Sequence, residues 1–514
     1  MITESLGSVL DRLDEEPRRR VESWDSRTVR GFDIDLRSQI FHSESRESVV
    51  DRWSHILQVD DLDPLLAQFE TSEKDKIGPY SLQDPWVERR KFAEEFMNER
   101  VVDIQSDSFS RAVERLRSLL PARSVKTISL KESMDRIPRG TSSGLPWMTR
   151  DRGYLSWYLQ HAQKGDVGLF PFVAGWRGQP GGRENGEWVV KQRLVWISQR
   201  IEAICGGTFA HPLTEALKSL NQFAAYLNPE AVGARVSIII RESRGRLLQS
   251  ADFDSFDQSM PAEMIDAVSD VILSWLSDKA FFWDRYWEFV KEGGILTPDG
   301  VMSGRSGGIP SGVVTTSVLG SLCNLLSALY VSEVSGSKLV NGVYLGDDSV
   351  NDYDPALSSH EISEIVSGLN LTMNEDKQFT SVGAVHFLQN LYAEQAEGLF
   401  VDKGVRPTFR ALNGILSYER PRSASEWTPW LASMRTIMQL ENCKNHPKFH
   451  EFVKFVSEGD ERLLSHDASE IATKAGGVHE VERKLNITSF RYTSQNVSSL
   501  SSFATVQVLR ELRG

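Results

Sequence analysis

The chain has 514 residues, with apolar, aromatic and charged fractions of 40%, 9% and 25%. This length predicts two or three subdomains, and the composition excludes a chain that is disordered throughout. The net charge of −13, from 58 basic and 71 acidic residues, excludes a protein that gathers polyanions by its overall charge. Any nucleic acid must therefore meet a local basic surface.

Three features bear on cellular location. The three cysteines lie far apart in the sequence, so no disulfide framework is expected and a reducing compartment suits the chain. Residues 3–30 lack the apolar core of a secretory signal. The most apolar run, 313–331, is interrupted by hydroxyl and amide side chains, which favours a buried helix. We therefore expect a protein without a membrane segment.

The N-terminal half begins with a segment that carries no motif. Residues 48–57 and 86–101 have apolar positions at helical spacing and predict a helical extension. The Gly- and Pro-rich run 178–182 predicts a loop before a strand. Along that strand, alternation puts Lys191 and Arg193 on one face. Residues 177–200 contain five Lys or Arg and two Glu, so this region supplies a local cationic patch.

The middle of the chain alternates strands and helices. Residues 247–253 predict a strand that delivers Asp252, and 262–276 predict an amphipathic helix begun by Pro261. Ser311 is expected to cap a long helix that runs to about Val331.

A hairpin follows over 340–350, with its turn at Gly346-Asp347. A helix over 360–369 and a strand over 384–388 complete the series. This order predicts an α+β fold in which an antiparallel sheet is backed by helices.

Acidic side chains stand at two of these strand ends. Asp252 ends one strand, and Asp347-Asp348 lie at the hairpin turn. Neighbouring carboxylates repel one another unless a divalent cation lies between them, and oxygen ligands select Mg²⁺ or Mn²⁺. A Gly-Asp-Asp alone arises by chance in roughly one chain in ten of this length, and a polar turn explains it equally well. Two such strand ends together favour a metal site for phosphoryl transfer.

Between the two acidic positions lies a glycine-containing loop that leads into a helix. Gly312, Thr316, Gly320 and Asn324 repeat at every fourth residue and share one helix face. Small, hydroxyl and amide side chains can contact a ribose hydroxyl, the group that distinguishes RNA from DNA. The alternative is close helix packing through the two glycines.

This set of motifs, in this order, resembles the viral RNA-dependent RNA polymerases. The matching residues are Asp252 and Asp257, Ser311-Gly312 with Thr316, and Gly346-Asp347-Asp348. Two more stretches agree: Thr141-Ser142-Ser143-Gly144 is similar to the template-path loop of the family, and Lys191-x-Arg193 to its basic strand over the triphosphate. The Asp-Asp-Ser ending and the Thr316-x7-Asn324 spacing look most like picobirnavirus and partitivirus polymerases. Many relatives place an Asn where this chain has Gly320, so which residue completes the ribose contact is open.

The resemblance implies a right-hand polymerase with an antiparallel palm sheet. It implies a helical extension over 1–100, fingers over 101–245 and 262–302, palm over 246–261 and 303–398, and thumb with a Ser-rich C-terminal tail over 399–514. It also implies RNA-directed RNA synthesis on a viral, double-stranded RNA genome. The expected location is the virion interior and host cytoplasm. The expected partners are template and nascent RNA and nucleoside triphosphates, with capsid protein as a candidate and no membrane.

The resemblance also implies residue roles, which agree with the side-chain chemistry. Two Mg²⁺ or Mn²⁺ ions would be held by Asp252, Asp347, Asp348 and the carbonyl of Phe253. The incoming nucleotide would be bound by Lys191, Arg193, Asp257, Ser311, Gly312, Thr316 and Asn324. Lys377 would donate a proton to the leaving pyrophosphate.

Two other functions fit part of the pattern. A reverse transcriptase is the nearest enzyme, but that class usually carries a bulky aromatic residue after its first catalytic Asp, where this chain is polar and ends in Asp257. A polymerase relic that only binds RNA or capsid is the other, but no catalytic carboxylate is missing. Ribonucleotide incorporation that depends on Asp347 would separate the three.

Overall fold

Five segments of secondary structure follow one another along the chain. The structure is a computed structural model that describes all residues except 99, 101, 103, 105, 139, 376, 377, 395–400, 422–425 and 486–496. The N-terminal segment contains β1 (Ile2–Glu4), α1 (Leu6–Asp11), α2 (Glu15–Arg30), α3 (Arg46–Leu57), α4 (Pro64–Lys74) and α5 (Trp86–Phe96). The second contains α6 (Asp107–Arg117), α7 (Leu130–Asp135), α8 (Leu155–Lys164), β2 (Phe172–Glu184), β3 (Glu187–Ile197), α9 (Arg200–Leu217) and α10 (Pro229–Ser243).

The remaining three segments hold the central sheet and the C-terminal helices. The third contains β4 (Leu248–Ala251), β5 (Phe253–Asp254), α11 (Phe256–Ser259), α12 (Ala262–Trp275), α13 (Trp283–Glu292), β6 (Ile295–Thr297) and β7 (Gly300–Met302). The fourth contains α14 (Thr316–Ser335), β8 (Lys338–Leu345), β9 (Asp348–Asp354), α15 (Ser359–Ser367), β10 (Thr372–Met373), β11 (Phe379–Ser381), β12 (Ala384–Phe387) and β13 (Asn390–Ala393). The last contains α16 (Thr408–Leu416), α17 (Pro429–Glu441), α18 (Phe449–Glu458), α19 (Arg462–Ser465), α20 (Ala468–Lys474), α21 (Val478–Leu485) and α22 (Ala504–Arg513).

The central sheet has the strand order β11-β4-β9-β8, with every neighbouring pair antiparallel. Val343 and Val350 point to one face and pack against α10. Tyr344 and Tyr353 point to the other face and join the core that contains α14. Successive residues of a strand face opposite sides, so each strand supplies both cores. The predicted α+β architecture, an antiparallel sheet backed by helices, is confirmed.

A second sheet, with the order β1-β7-β6-β2-β3, corrects one prediction. The run 178–182, expected as a loop, lies inside β2. A Cβ atom on Gly178 would lie 2.4 Å from the carbonyl oxygen of Tyr80, and one on Gly182 would lie 2.0 Å from that of Asp75. The glycines therefore allow another segment to cross the strand closely, and they do not break it.

The start of α14 corrects a second prediction. The helix begins at Thr316 and not beside Ser311. The Ser311 hydroxyl accepts a hydrogen bond from the Trp196 backbone N–H at 3.2 Å, so it caps no helix. Residues 311–315 form turns because the Val314 N–H donates to the Glu202 carboxylate at 3.0 Å. A tertiary partner thus replaces the first helical hydrogen bonds.

The N-terminal helices bind the C-terminal helices. Trp53 of α3 is fully buried in the C-terminal core, and its indole N–H donates to the Thr408 hydroxyl at 2.9 Å. The Glu70 carboxylate accepts hydrogen bonds from the N–H groups of Thr408 and Phe409 at 2.6 and 3.1 Å, which caps α16. His446 lies 3.0 Å from the same carboxylate. The domain boundaries expected from sequence stay a prediction, and these contacts show that residues 1–100 form part of the folded body.

Within the described part of the chain, α14 is the one helix long and apolar enough to cross a membrane. Most of its residues are buried inside the protein. Its composition is therefore explained by its place in the core.

Candidate active site at the strand ends

The three aspartates lie at one end of the central sheet. Ala251 pairs with Ser349 across β4 and β9, so Asp252 follows the strand beside Asp348. Leu345 pairs with Asp348 across the hairpin, which leaves Gly346 and Asp347 as the turn. Gly346 has φ +61°, which favours glycine at the first position of a two-residue turn. Strand register thus brings together the carboxylates that the sequence placed on two elements.

The charges of these carboxylates act on one another. Burial, together with the negative charges of Asp347 and Asp252, raises the pKa of Asp348 to about 7. The pKa of Asp257 is raised to about 7, mainly by burial and also by the charge of Asp347, while the charge of Arg193 opposes the rise. The site therefore crowds like charges, and a cation would relieve their repulsion.

The donor set fits a divalent cation that shares its coordination with substrate. Asp252 and Asp347 are exposed and Asp348 is half-buried. Among the described residues, no three carboxylate, imidazole or thiolate groups gather into a closed metal cage. Mg²⁺ is commonly held by one or two carboxylates while waters and substrate phosphates complete its shell. An open set of carboxylates is the arrangement that such an ion requires.

The hairpin turn is held from below by α14. The Asn324 side-chain amide donates to the carbonyl oxygens of Gly346 and Asp347, at 3.0 and 2.9 Å. The Ser321 hydroxyl accepts from the Gly346 N–H at 2.8 Å. A Cβ on Gly320 would lie 3.5 Å from the Gly346 Cα, so this position also packs against the turn.

Asn324 was expected at the ribose, but its side chain is only 1% exposed and faces the turn instead. Both hydrogen bonds that its amide makes go to backbone atoms of the β8–β9 hairpin turn. A direct nucleotide contact by Asn324 stays a prediction.

The basic strand lies beside the loop that precedes α14. Lys191 and Arg193 are exposed on β3 while Gln192 is buried, which confirms the predicted alternation. A Cβ on Gly312 would lie 1.7 Å from the carbonyl oxygen of Trp196, so only glycine fits there. Arg193 is close enough to Asp257 to lower its pKa. The strand, the loop and Asp257 therefore border one space.

The local cationic patch is smaller than the sequence indicated. Arg183 pairs with Glu47, and Arg177 lies 3.5 Å from Glu419. Arg200 is buried and donates to backbone carbonyls. Of the five cations in 177–200, Lys191 and Arg193 are therefore the two best placed for a substrate.

The expected template-path loop is pinned by Arg200. Its guanidinium donates to the carbonyl oxygens of Thr141 and Asp151 at 3.1 and 2.7 Å, and its N–H donates to that of Ser143 at 3.0 Å. Ser143 is buried, and Gly144 has φ +60° with a Cβ position 2.4 Å from the carbonyl oxygen of Ser198. Ser142 is thus the exposed member of the four, and Thr141 is half-buried.

Three other residues were predicted to belong to the site: Thr316, Phe253 and Lys377. The Thr316 hydroxyl is 2.8 Å from the carbonyl oxygens of Pro310 and Val313, so it fastens the loop to the helix. Phe253 lies in β5 with its ring 4.8 Å from that of Phe256, and a metal contact by its carbonyl stays a prediction. Lys377 lies outside the described residues.

Sequence reasoning missed the buried charged residues behind the site. Arg200 and Glu202 stand within an otherwise apolar helical stretch, and Arg305 follows a glycine in the loop after β7. A charge inside an apolar run is the signal that could have identified the first two, because such a group needs a buried partner. Their partners include backbone atoms and a tyrosine hydroxyl on distant segments, which no pattern in the sequence specifies.

Comparison with known proteins assigns the family. The chain belongs to the viral RNA-dependent RNA polymerases, since the profile of that family matches residues 188–454. It is therefore an RNA-directed RNA polymerase, and the expected right-hand fold and enzyme class are confirmed.

Similar proteins include two from human picobirnaviruses. A protein of human picobirnavirus (strain Human/Thailand/Hy005102/-), named as a potential RNA-dependent RNA polymerase, is 25% identical over 470 residues, which are 87% of this chain and 86% of that protein. The crystal structure of a human picobirnavirus RNA-dependent RNA polymerase superposes with a TM-score of 0.80 at 21% identity, covering 99% of this chain and 100% of that one. The Sicinivirus 3Dpol polymerase gives a TM-score of 0.56 at 16% identity, over 70% of this chain and 81% of that one.

Proposed function

We propose that this polymerase replicates and transcribes a double-stranded viral RNA genome by nucleotidyl transfer at the carboxylate cluster, with two divalent cations. The observation that carries the proposal is the register that brings Asp252, Asp347 and Asp348 to one end of adjacent strands. The similarity to picobirnavirus proteins over most of both chains supports the double-stranded genome.

In this reaction the 3′ oxygen of the growing RNA forms a bond to the α-phosphorus of a nucleoside triphosphate, and pyrophosphate leaves with the electrons of the broken bond. Cations bound by Asp252, Asp347 and Asp348 would lower the pKa of the attacking hydroxyl and stabilise the charge on the leaving oxygen. Lys191 and Arg193 would bind the triphosphate from β3.

Asp257 is placed to sense the sugar. It is half-buried, lies within reach of the charges of Asp347 and Arg193, and its backbone carbonyl accepts from the Ile309 N–H at 2.7 Å. An acceptor at this point would bind a ribose hydroxyl and favour ribonucleotides. Ser142, on the loop held by Arg200, would contact the template.

The test uses the purified full-length chain with a defined single-stranded RNA, the four ribonucleotides and Mg²⁺ or Mn²⁺, without primer. We expect complementary RNA product, dependent on the cation, and much less product with deoxyribonucleotides. Asp347→Ala should abolish synthesis while RNA binding and the melting temperature stay unchanged.

The control is Asp354→Ala, because Asp354 is an exposed aspartate at the far end of the same strand. It should keep parental activity. Equal synthesis by the Asp347→Ala variant and the parent, or a preference for deoxyribonucleotides, would refute the proposal.

The proposal also places the enzyme in the virion interior and the host cytoplasm, with capsid protein as a partner. The support is the resemblance to viral polymerases and the absence of disulfides among the three buried cysteines. Co-purification of the chain with capsid particles from infected cells checks it, and a chain recovered only in particle-free membrane fractions would contradict it.

A further inference from the structure

The loop that joins β7 to α14 is held at both ends by buried charged residues. Arg305 stands at its start and is 2% exposed. Val314 and Thr315, at its other end, contact a network around Glu202, which is fully buried. A buried charge is costly unless its hydrogen bonds are made, so each of these two groups constrains whatever it binds.

At the end of the loop formed by Val314 and Thr315, one oxygen of the Glu202 carboxylate accepts two hydrogen bonds. Glu202 Oε1 accepts from the Val314 N–H at 3.0 Å and from the Tyr286 hydroxyl at 2.8 Å. The same hydroxyl lies 2.9 Å from the Thr315 hydroxyl. Two consecutive residues of the loop are therefore fixed by Glu202 and Tyr286.

At the other end of the loop, the hydrogen bonds of the Arg305 guanidinium go to carbonyl oxygens. Its guanidinium donates to those of Gly307 and Gly308 within the loop, at 2.8 and 3.2 Å. It also donates to those of Val290 and Phe289 at 2.6 and 3.3 Å, and to that of Gly293 at 2.9 Å. The described residues place no carboxylate at ion-pair distance from it, so its charge is stabilised by oriented backbone dipoles and by the Trp196 ring, 4.9 Å away.

Both anchors meet on one helix. The Tyr286 hydroxyl contacts the Val314–Thr315 end of the loop through Thr315. One turn further along α13, the carbonyl oxygens of Phe289 and Val290 accept hydrogen bonds from Arg305, at the other end of the loop. The last carbonyls of a helix carry partial negative charge, which suits a guanidinium. Helix α13 therefore sets the distance between the two ends of the loop.

The middle of the loop lies in the site. Ser311 and Gly312 rest against Trp196 of β3, three residues beyond the exposed Arg193 of the same strand. The Ile309 N–H donates to the carbonyl oxygen of Asp257 at 2.7 Å. A shift of either anchor would move Ser311 and Gly312 relative to the cations and Asp257.

We propose that Glu202, Tyr286 and Arg305 are positioning residues for the incoming ribonucleotide: they hold the loop 305–315 in the conformation that binds its sugar and triphosphate. The inference rests on the proposed function, because it concerns the same nucleotide site. None of the three needs to touch substrate. Their effect is on the geometry of groups that do.

The decisive variant is Tyr286→Phe, which removes one hydroxyl and keeps the ring in the core. We expect the KM for ribonucleotides to rise about tenfold, the size of one lost hydrogen bond to a charged group, with kcat changed less than threefold. The ratio of ribonucleotide to deoxyribonucleotide incorporation should fall by a similar factor. The Kd for template RNA should not change.

Companion variants separate positioning from folding. Glu202→Leu should raise the nucleotide KM at least as much as Tyr286→Phe, whereas Glu202→Gln keeps an acceptor oxygen and should restore most of the parental KM. Arg305→Lys keeps the charge but loses the forked geometry, so it should also raise KM. The matched control is Tyr353→Phe, which removes a buried tyrosine hydroxyl that donates to the carbonyl of Ala328 at 3.3 Å. It should leave KM unchanged.

A parental nucleotide KM and sugar preference in Tyr286→Phe would overturn the inference, even if Glu202→Leu failed to fold. An equal rise of KM in Tyr353→Phe, or a parallel loss of RNA affinity, would also overturn it by showing general loosening of the core. Absence of synthesis by the parent enzyme would instead refute the proposed function, so the two failures are distinguishable.

Discussion

Two groups of ionisable residues in this polymerase have opposite surroundings: one group is crowded together near solvent, and the members of the other are buried singly. The aspartates at the strand ends are exposed or half-buried, and the negative charges of Asp347 and Asp252 contribute to the raised pKa of Asp348. Glu202 and Arg305 are single buried ionisable residues whose hydrogen bonds go to fixed backbone and hydroxyl groups. The comparison indicates that crowded carboxylates at the strand ends serve a ligand, while single buried groups that bind backbone and hydroxyl groups serve the shape of the site.

The largest effect is expected from removing charge at the strand ends. Asp252→Asn keeps the shape of the side chain but weakens cation binding, so nucleotide incorporation should fall at least about a thousandfold. Steady-state rates on one RNA template, at rising Mn²⁺ concentration, check this. The same change at Asp354, at the other end of β9, is the control. Parental rates in Asp252→Asn would break the comparison.

The buried carboxyl of Glu202 should instead make the free energy of unfolding depend on pH. Burial raises the pKa of Glu202 to about 7 from its usual 4.5, so the folded chain keeps a proton that the unfolded chain releases. The stabilisation is complete below about pH 4.5 and is lost as pH rises through 7. Between pH 5 and 8 the parent should lose about 3 kcal/mol relative to Glu202→Gln in the free energy of unfolding.

Urea titrations of both proteins at several pH values measure this difference. The Gln variant lacks the titrating group and shares every other one, so the subtraction isolates position 202. Parallel pH curves for the two proteins would show that the Glu202 carboxyl ionises as it does in water.

A variant of Asn324 tests whether a neutral residue also positions the turn that carries Asp347. Asn324→Leu removes the donors to both carbonyls of the turn and should lower kcat by about thirtyfold, since a small misplacement of catalytic groups is expensive. The nucleotide KM should change less. Single-turnover kinetics measure the chemical step, and Ser327→Ala, a buried hydroxyl on the same helix, provides the comparison. A change confined to KM would instead favour the ribose contact expected from sequence.

The exposed cations should behave as ligand contacts. Lys191→Ala or Arg193→Ala should raise the nucleotide KM about tenfold and make it less sensitive to salt, because a screened charge contact to the triphosphate is lost. Titrations at two salt concentrations check this. A matched Arg177→Ala variant, on the neighbouring strand, should change KM less than twofold. Identical salt dependence in all variants would contradict the assignment.

The smallest effect is expected at Ser321. Ser321→Ala removes one hydrogen bond to the Gly346 N–H, worth about 1 kcal/mol, while Asn324 still holds the turn. A three- to fivefold loss in kcat is expected, about that energy if all of it is expressed in the rate. A loss as large as that of Asn324→Leu would show that the two contacts act as a unit.

Local patterns predicted the elements that carry the chemistry. The hairpin around Gly346-Asp347 and the alternation of Lys191 and Arg193 depend on neighbouring residues, and the structure confirms both. Helix α12 after Pro261 and helix α15, predicted over 360–369 and found at Ser359–Ser367, could be predicted for the same reason.

The failures come from distant partners. Ser311 is a residue type that often caps helices, but its hydroxyl accepts a hydrogen bond from the distant Trp196 N–H. The glycines of 178–182 read as a loop because the segment that crosses them, near Tyr80, is remote in sequence. The role of Glu202 required knowing that Val314 and Tyr286 converge on it. The site could thus be located from its own residues, whereas its supports could not.

The union of the N-terminal helices with the C-terminal ones has a consequence for how nucleic acid moves. Pulling these parts open would uncover the indole of Trp53 and strip the Glu70 carboxylate of its donors, both of which are buried. Such an opening would cost several kcal/mol, a large share of the stability of an ordinary fold. We therefore expect the N-terminal and C-terminal helices to stay joined throughout RNA synthesis, so that RNA must enter and leave the site without separating them.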